Sequence, residues 1–167
     1  MPRLEKWLAL AMLSILTACA SPESEVLRNV QGTPIPPVPT LDAAHVLAGR
    51  RSYDSLCASC HGPNGVGSTP NWKIPDAQGY FPPPPHDDDG HTWHHADRVL
   101  FEIIRDGFHD TLHPDAPLRM PAFGSQLSAA QIRELISYFK SLWSREHREY
   151  QWEIELQDWS YRQTPEP

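Results

Sequence analysis

The chain has 167 residues, a formal net charge of −7 at pH 7 and 40% hydrophobic residues. That is enough for one domain of ordinary size, with one buried core and some appendages. So acidic a balance excludes a nucleic-acid binder, whose phosphate contacts demand Lys and Arg, and suits a basic protein partner met by electrostatic steering.

The N-terminal stretch does not read as part of a fold. Arg3 and Lys6 make a basic start, Trp7 to Leu16 form an apolar run broken only by Ser14, and Thr17, Ala18 and Cys19 are small. This predicts a secretory signal peptide over residues 1–18, because the run is too short to span a bilayer comfortably. A short membrane anchor is the competing reading. Leu16-Thr17-Ala18-Cys19 resembles the lipobox of bacterial lipoproteins, and that resemblance implies cleavage just before Cys19 and lipidation of its thiol. Loss of the leader removes Arg3, Lys6 and Glu5 and leaves the chain still more acidic.

Residues 19–40 are predicted to be a tether behind the lipidated cysteine. Pro22, Pro34, Pro36, Pro37 and Pro39 punctuate the stretch, and it lacks apolar periodicity. Such a segment favours an extended polyproline conformation at about 3.1 Å per residue, so its reach is on the order of 60 Å.

A domain is predicted over residues 41–145. It opens on a helix from Asp42, a suitable N-cap, to about Leu56, with Val46, Leu47, Tyr53 and Leu56 as its apolar face. Gly49 inside that helix costs about 1 kcal/mol relative to Ala and therefore implies a packing reason, such as a close helix approach. Gly62 to Pro85 reads as irregular. A second helix is expected from about Ala96 to Asp106, with Asp97 in its first turn and Gly107 just past its end. A loop from Phe108 to Leu127 holds Pro114, Pro117 and Pro121. The next helix opens on Ser128-Ala129-Ala130-Gln131, a capping-box pattern, and Ile132, Leu135, Ile136, Phe139, Leu142 and Trp143 recur at helical spacing. The extension 146–167 alternates apolar residues like a strand at Tyr150, Trp152, Ile154 and Leu156, yet is rich in helix formers. A helical continuation to about Leu156 is the expectation.

The chemistry concentrates in Cys57-Ala58-Ser59-Cys60-His61. Two thiols three positions apart can add to the two vinyl groups of one haem, and the histidine that follows then lies beneath the iron; the pattern is that of c-type haem attachment. A thioredoxin-like pair or half a zinc site would share the spacing, but no strand-helix alternation surrounds these cysteines and no second pair exists. If Cys19 is acylated, no disulfide to a third cysteine can form.

From about Asp42 to Trp143 the chain resembles the class I c-type cytochromes, particularly the monohaem kind related to cytochrome subunits of haem-copper oxidases. The residues that carry the resemblance are the Cys57-to-His61 motif with Gly62 and Gly65 after it, Leu118-Arg119-Met120-Pro121-Ala122-Phe123-Gly124, and the final aromatic helix. It implies an all-α fold of three or more helices around one covalently bound haem c, with an extended C-terminal segment here. It also implies a first and last helix that cross closely, Gly49 and Tyr53 meeting Leu135, Tyr138 or Phe139. Pro70 is taken by resemblance as the proline whose carbonyl accepts from the proximal imidazole, although Trp72 stands where the family usually has leucine. The segment around His91 to His95 is implied to bond the haem propionates, with the Trp93 N–H as a donor.

The sixth iron ligand follows from the methionine count. There are three, and Met1 and Met12 leave with the leader, so Met120 is the one thioether of the mature chain. It lies in a proline-bounded loop between helices, a poor place for a core methionine and a suitable one for a segment across the distal haem face. His/Met ligation raises the reduction potential. Arg119 beside it is a candidate propionate partner or a solvated arginine. His91, His94, His95, His109 and His113 compete with Met120, and a second, copper-type centre built from His86, Asp87, His91, His94 or His95 is the motif's other reading.

The expected function is therefore one-electron transfer, not catalysis, by a lipid-anchored protein of the bacterial cell envelope that faces the periplasm and meets a redox partner with a basic docking face. The rivals are a haem sensor or enzyme with an open sixth position, and a copper-associated metal-binding lipoprotein.

Overall fold

Asp42, in extended conformation, starts the first helix by accepting at Oδ1 from the N–H groups of Ala44 (2.7 Å) and His45 (3.1 Å). Those bonds hold its carboxyl below the usual carboxylate range. The computed structural model describes residues 26–29, 32–108 and 120–163. Its helices are α1 (Ala43–Leu56), the single turn α2 (Ala58–His61), α3 (Asp97–Asp106), α4 (Ala129–Ser141) and α5 (Arg145–Gln163). Among the described residues the only β pairing is two isolated bridges, Arg28 to Pro34 and Phe108 to Met120.

Helix α4 begins as its sequence dictates: Ser128 Oγ accepts from Gln131 N–H at 3.3 Å, and Gln131 Oε1 accepts from Ser128 N–H at 3.0 Å. It buries Ile132, Leu135, Ile136, Tyr138 and Phe139, and these meet Tyr53 of α1, whose ring lies 5.2 Å from that of Tyr138 and 6.1 Å from that of Phe139. Leu100 and Ile104 of α3, with Phe123 and Leu127, complete the core. The last carbonyls of α3 find partners outside the helix, Ile104 from Phe123 N–H (3.0 Å) and Arg105 from Gly124 N–H (2.9 Å), so the segment after Met120 caps this helix.

The crossing of α1 over α4 depends on Gly49. A Cβ at that position would fall on the carbonyl oxygen of Glu134 and 2.9 Å from the Leu135 nitrogen, both backbone atoms that cannot swing away. Gly49→Ala is therefore expected to force the helices apart and cost about 2 kcal/mol or more, the scale of core overpacking. Chemical denaturation of the haem-loaded protein measures this, and an unchanged midpoint would show that the crossing tolerates a methyl.

The extension is a helix, longer than its sequence suggested. Gln151, 2% exposed, donates from Nε2 to Asp97 Oδ1 at 2.9 Å and to the His95 carbonyl at 3.3 Å. Glu155 accepts from the Asp97 N–H at 2.8 Å, and Arg98 reaches Asp158 at 3.2 Å. These long-range bonds, rather than an apolar stripe, carry α5 past Leu156. Trp152 Nε1 also donates to the Pro36 carbonyl and Arg148 Nη2 to the Pro39 carbonyl, each at 2.8 Å. The end of the proline-rich segment is thus laid on α5. Extended proline segments leave their carbonyls without internal partners, and here side chains take them up.

Candidate functional site

The turn α2 places Cys57, Cys60 and His61 together. Both the Cys60 and His61 N–H groups donate to the Cys57 carbonyl, at 3.1 and 2.9 Å, and residues three and four apart share one side of a helical turn. Cys57 is buried in the core cluster and Cys60 is exposed, and neither is in a disulfide. Burial pushes the Cys57 thiol up to about 11, so it stays neutral where it sits.

The turn is locked from behind. Gly62 follows at a φ of +74°, and a Cβ there would strike the Gly67 carbonyl oxygen, so only glycine suits the position. Tyr53, fully buried, donates its hydroxyl proton to the Gly62 carbonyl at 2.6 Å, with the His61 carbonyl 3.1 Å away, and its burial raises its pKa. The Gly67 N–H donates to the His61 carbonyl at 2.7 Å.

His61 itself is 9% exposed, and burial lowers its pKa, leaving the ring neutral. Its Nδ1 lies 2.9 Å from the Pro84 carbonyl. A carbonyl only accepts, so Nδ1 carries the proton and Nε2 keeps its lone pair, the state a metal-ligating imidazole needs. The sequence assigned this acceptor to Pro70. That assignment is corrected: Pro70 is exposed on a surface turn, and Pro84 occupies the site. The physical reason is the length of the loop after His61, which sends the chain outward before the Pro82–Pro85 run returns beside the turn. The Ser68 N–H to Pro83 carbonyl bond (3.4 Å) and the His86 N–H to Gly65 carbonyl bond (2.7 Å) close that return.

Trp93 lies in the short 3-10 turn Thr92–His94 before α3. Its ring is sandwiched between those of His94 (3.8 Å) and His147 (3.7 Å), with Tyr150 edge-on, and its Nε1 is buried without a hydrogen-bond partner. A buried unpartnered donor is costly, and it fits a group that brings its own acceptor, as a haem carboxylate does. His147, fixed by Asp88 at 2.7 Å, comes from α5. No spacing in the sequence linked that helix to Trp93.

Met120 sits at the base of the loop whose residues 109–119 lie outside the described ones. The Phe108 N–H donates to its carbonyl at 3.1 Å, and its half-buried side chain packs against the core cluster. Arg119, His109 and His113 lie outside the described residues, as does Cys19. The histidine run does not converge. His91 stacks on Trp72 at 5.3 Å, His94 on Trp93, and His86 turns into the core. Among the described residues no three His, Cys, Asp or Glu side chains gather to hold a metal ion.

The arrangement suits a c-type haem in two respects: two cysteines and an imidazole on one turn, and a ring fixed with Nε2 as its lone-pair atom. A protein-family model described as "Cytochrome C oxidase, cbb3-type, subunit III" matches residues 44–139, which run from α1 through nearly all of α4. The comparison with curated proteins gives no match.

Proposed function

The chain belongs to this family of class I c-type cytochromes and carries a covalently bound haem c, and from that premise we propose a membrane-tethered, periplasm-facing one-electron carrier with His61 and Met120 as the axial pair. The observation that carries the reading is the fixed His61 ring on the turn of the two cysteines. When bound, the haem supplies a one-electron couple. The protein's part is to hold it through Cys57 and Cys60, to present His61 in one tautomer, and to keep water from the ring with the α1–α4 core.

Two features support Met120 as the distal ligand: it is the one methionine remaining after loss of the leader, and its half-buried side chain packs on the core cluster to which Cys57 also belongs. Two filled axial positions favour electron transfer over ligand chemistry. The test is addition of carbon monoxide to the reduced protein. An unperturbed spectrum is expected, and rapid, complete binding would mark an open sixth position and a sensor or enzyme.

The tether rests on Leu16 to Cys19 after the apolar run. Anchoring is assigned to lipid because that lipobox-like run ends on a cysteine; no described helix is long and apolar enough to cross a membrane. Cys19→Ala should appear in the soluble fraction or remain unprocessed, and the wild-type chain should take up labelled fatty acid. Membrane-bound wild type without label would contradict lipidation.

A net charge of −7 points to a partner with a basic docking face. Electron transfer to it should slow by roughly tenfold as the Debye length falls from about 30 Å to 8 Å. Stopped-flow rates over that salt range measure the effect, and a rate that rises with salt would mean an acidic partner.

A further inference from the structure

Neither haem attachment nor iron ligation requires a histidine at position 86, yet an imidazole stands there, 8% exposed in the core. Its ring lies face-on against that of His61, with centroids 4.3 Å apart and planes 32° from parallel. Its other face stacks on Phe139 of α4 at 4.2 Å and 20°. Three rings thus form a column from the core helix to the haem-bearing turn, with Tyr53 edge-on to the middle one at 6.1 Å.

The middle ring is held on every side. The His86 N–H donates to the Gly65 carbonyl at 2.7 Å, and its carbonyl accepts from Trp143 Nε1 at 2.8 Å. In the side chain, Nδ1 lies 2.9 Å from Thr92 Oγ1, and that hydroxyl lies 3.5 Å from the Pro85 carbonyl. The carbonyl only accepts, so the threonine proton points to Pro85 and His86 Nδ1–H donates to Oγ1. Burial, with His61 and His91 nearby, holds the His86 pKa well below its ordinary value, so the ring is neutral. A buried polar ring with its own buried hydroxyl partner does more than fill space, since an aliphatic side chain would need neither.

We propose that His86 is a positioning residue for the axial imidazole: its Thr92-held ring sets the plane of the His61 ring and thereby the reduction potential of the haem. The bond from His61 Nδ1 to Pro84 fixes the tautomer and one edge of the ring but leaves rotation about that edge; the face of His86, two residues further on, removes it. Both constraints come from one proline-stiffened segment, residues 84–86. Groups that orient a ligand in this way tune the metal it binds. The inference rests on the haem reading above.

The test uses the full-length, haem-loaded chain and three variants. Thr92→Val keeps the shape and removes the hydroxyl, Thr92→Ser keeps the hydroxyl, and His86→Leu removes the ring. Redox titration and the paramagnetic NMR shifts of the haem methyls in the oxidised protein are the readouts, with covalent haem per chain as the control. Thr92→Val and His86→Leu should each change the oxidised-to-reduced ratio at a fixed ambient potential by at least about threefold and reorder the methyl shifts, while Thr92→Ser stays at wild type. A pure packing role predicts the reverse order, with Thr92→Val at wild type and Thr92→Ser, which loses the methyl, the perturbed variant. Haem-loaded Thr92→Val with wild-type potential and shifts would overturn the inference, as would His86→Leu with both unchanged. Absence of covalent haem from the wild-type chain would instead defeat the function on which it rests.

Discussion

Replacing Cys57 and Cys60 together with alanine is expected to yield a chain with no covalent haem at all, the largest effect of any substitution here. Both thioethers vanish, and His61 alone cannot hold the group through denaturation. Cys57 is also part of the core, 6% exposed, so the alanine there removes buried volume and lowers stability by about 1–2 kcal/mol, a small effect beside loss of the cofactor. The single variants separate the positions: Cys60 is exposed, so Cys60→Ala should retain one thioether with little change in folding. Acid extraction followed by a haem stain of the denatured chain reads the outcome. Haem remaining on the double variant would mean attachment elsewhere.

Met120→Ala is expected to leave covalent haem in place and change its chemistry. With the thioether gone, the weak sulfur-to-iron charge-transfer band of the oxidised protein should disappear, carbon monoxide should bind the reduced form, and the reduction potential should drop on the order of 0.1 V, part of the ~0.8 V range that axial ligands span. Stability should also fall, because the Met120 side chain packs on the core. Retention of band and potential would transfer the distal role to a histidine, with His109 and His113 in the adjoining loop first in line.

The parts of the fold that were legible in the sequence are those set by local chemistry. Asp42 and the Ser128–Gln131 box fixed two helix starts because their bonds span three residues or fewer. Gly49 was recognisable as a close approach because glycine inside a helix is otherwise unfavourable, and the backbone of Glu134 is what it approaches. What was not legible depends on where distant segments return. Among many prolines, only the path of the loop decides that Pro84 rather than Pro70 meets His61, and a proline carries no mark of its register. In the sequence His86 stood out only as a candidate ligand of a copper-type centre. Its burial depends on Gly65, Thr92 and Trp143, contributed by three separate segments. The length of α5 likewise follows from Gln151, Glu155 and Asp158 bonding to the start of α3, partners that helical periodicity cannot reveal.

The proposed centre is one haem bound through Cys57 and Cys60, with His61 as its ligand. Mass spectrometry of the mature chain, expressed in a host that matures c-type cytochromes and then digested, tests it most directly. A single haem adduct, surviving denaturation, is expected on the peptide that contains Cys57 to His61. An unmodified peptide with both thiols free to alkylation, from a chain that is otherwise folded, would contradict it.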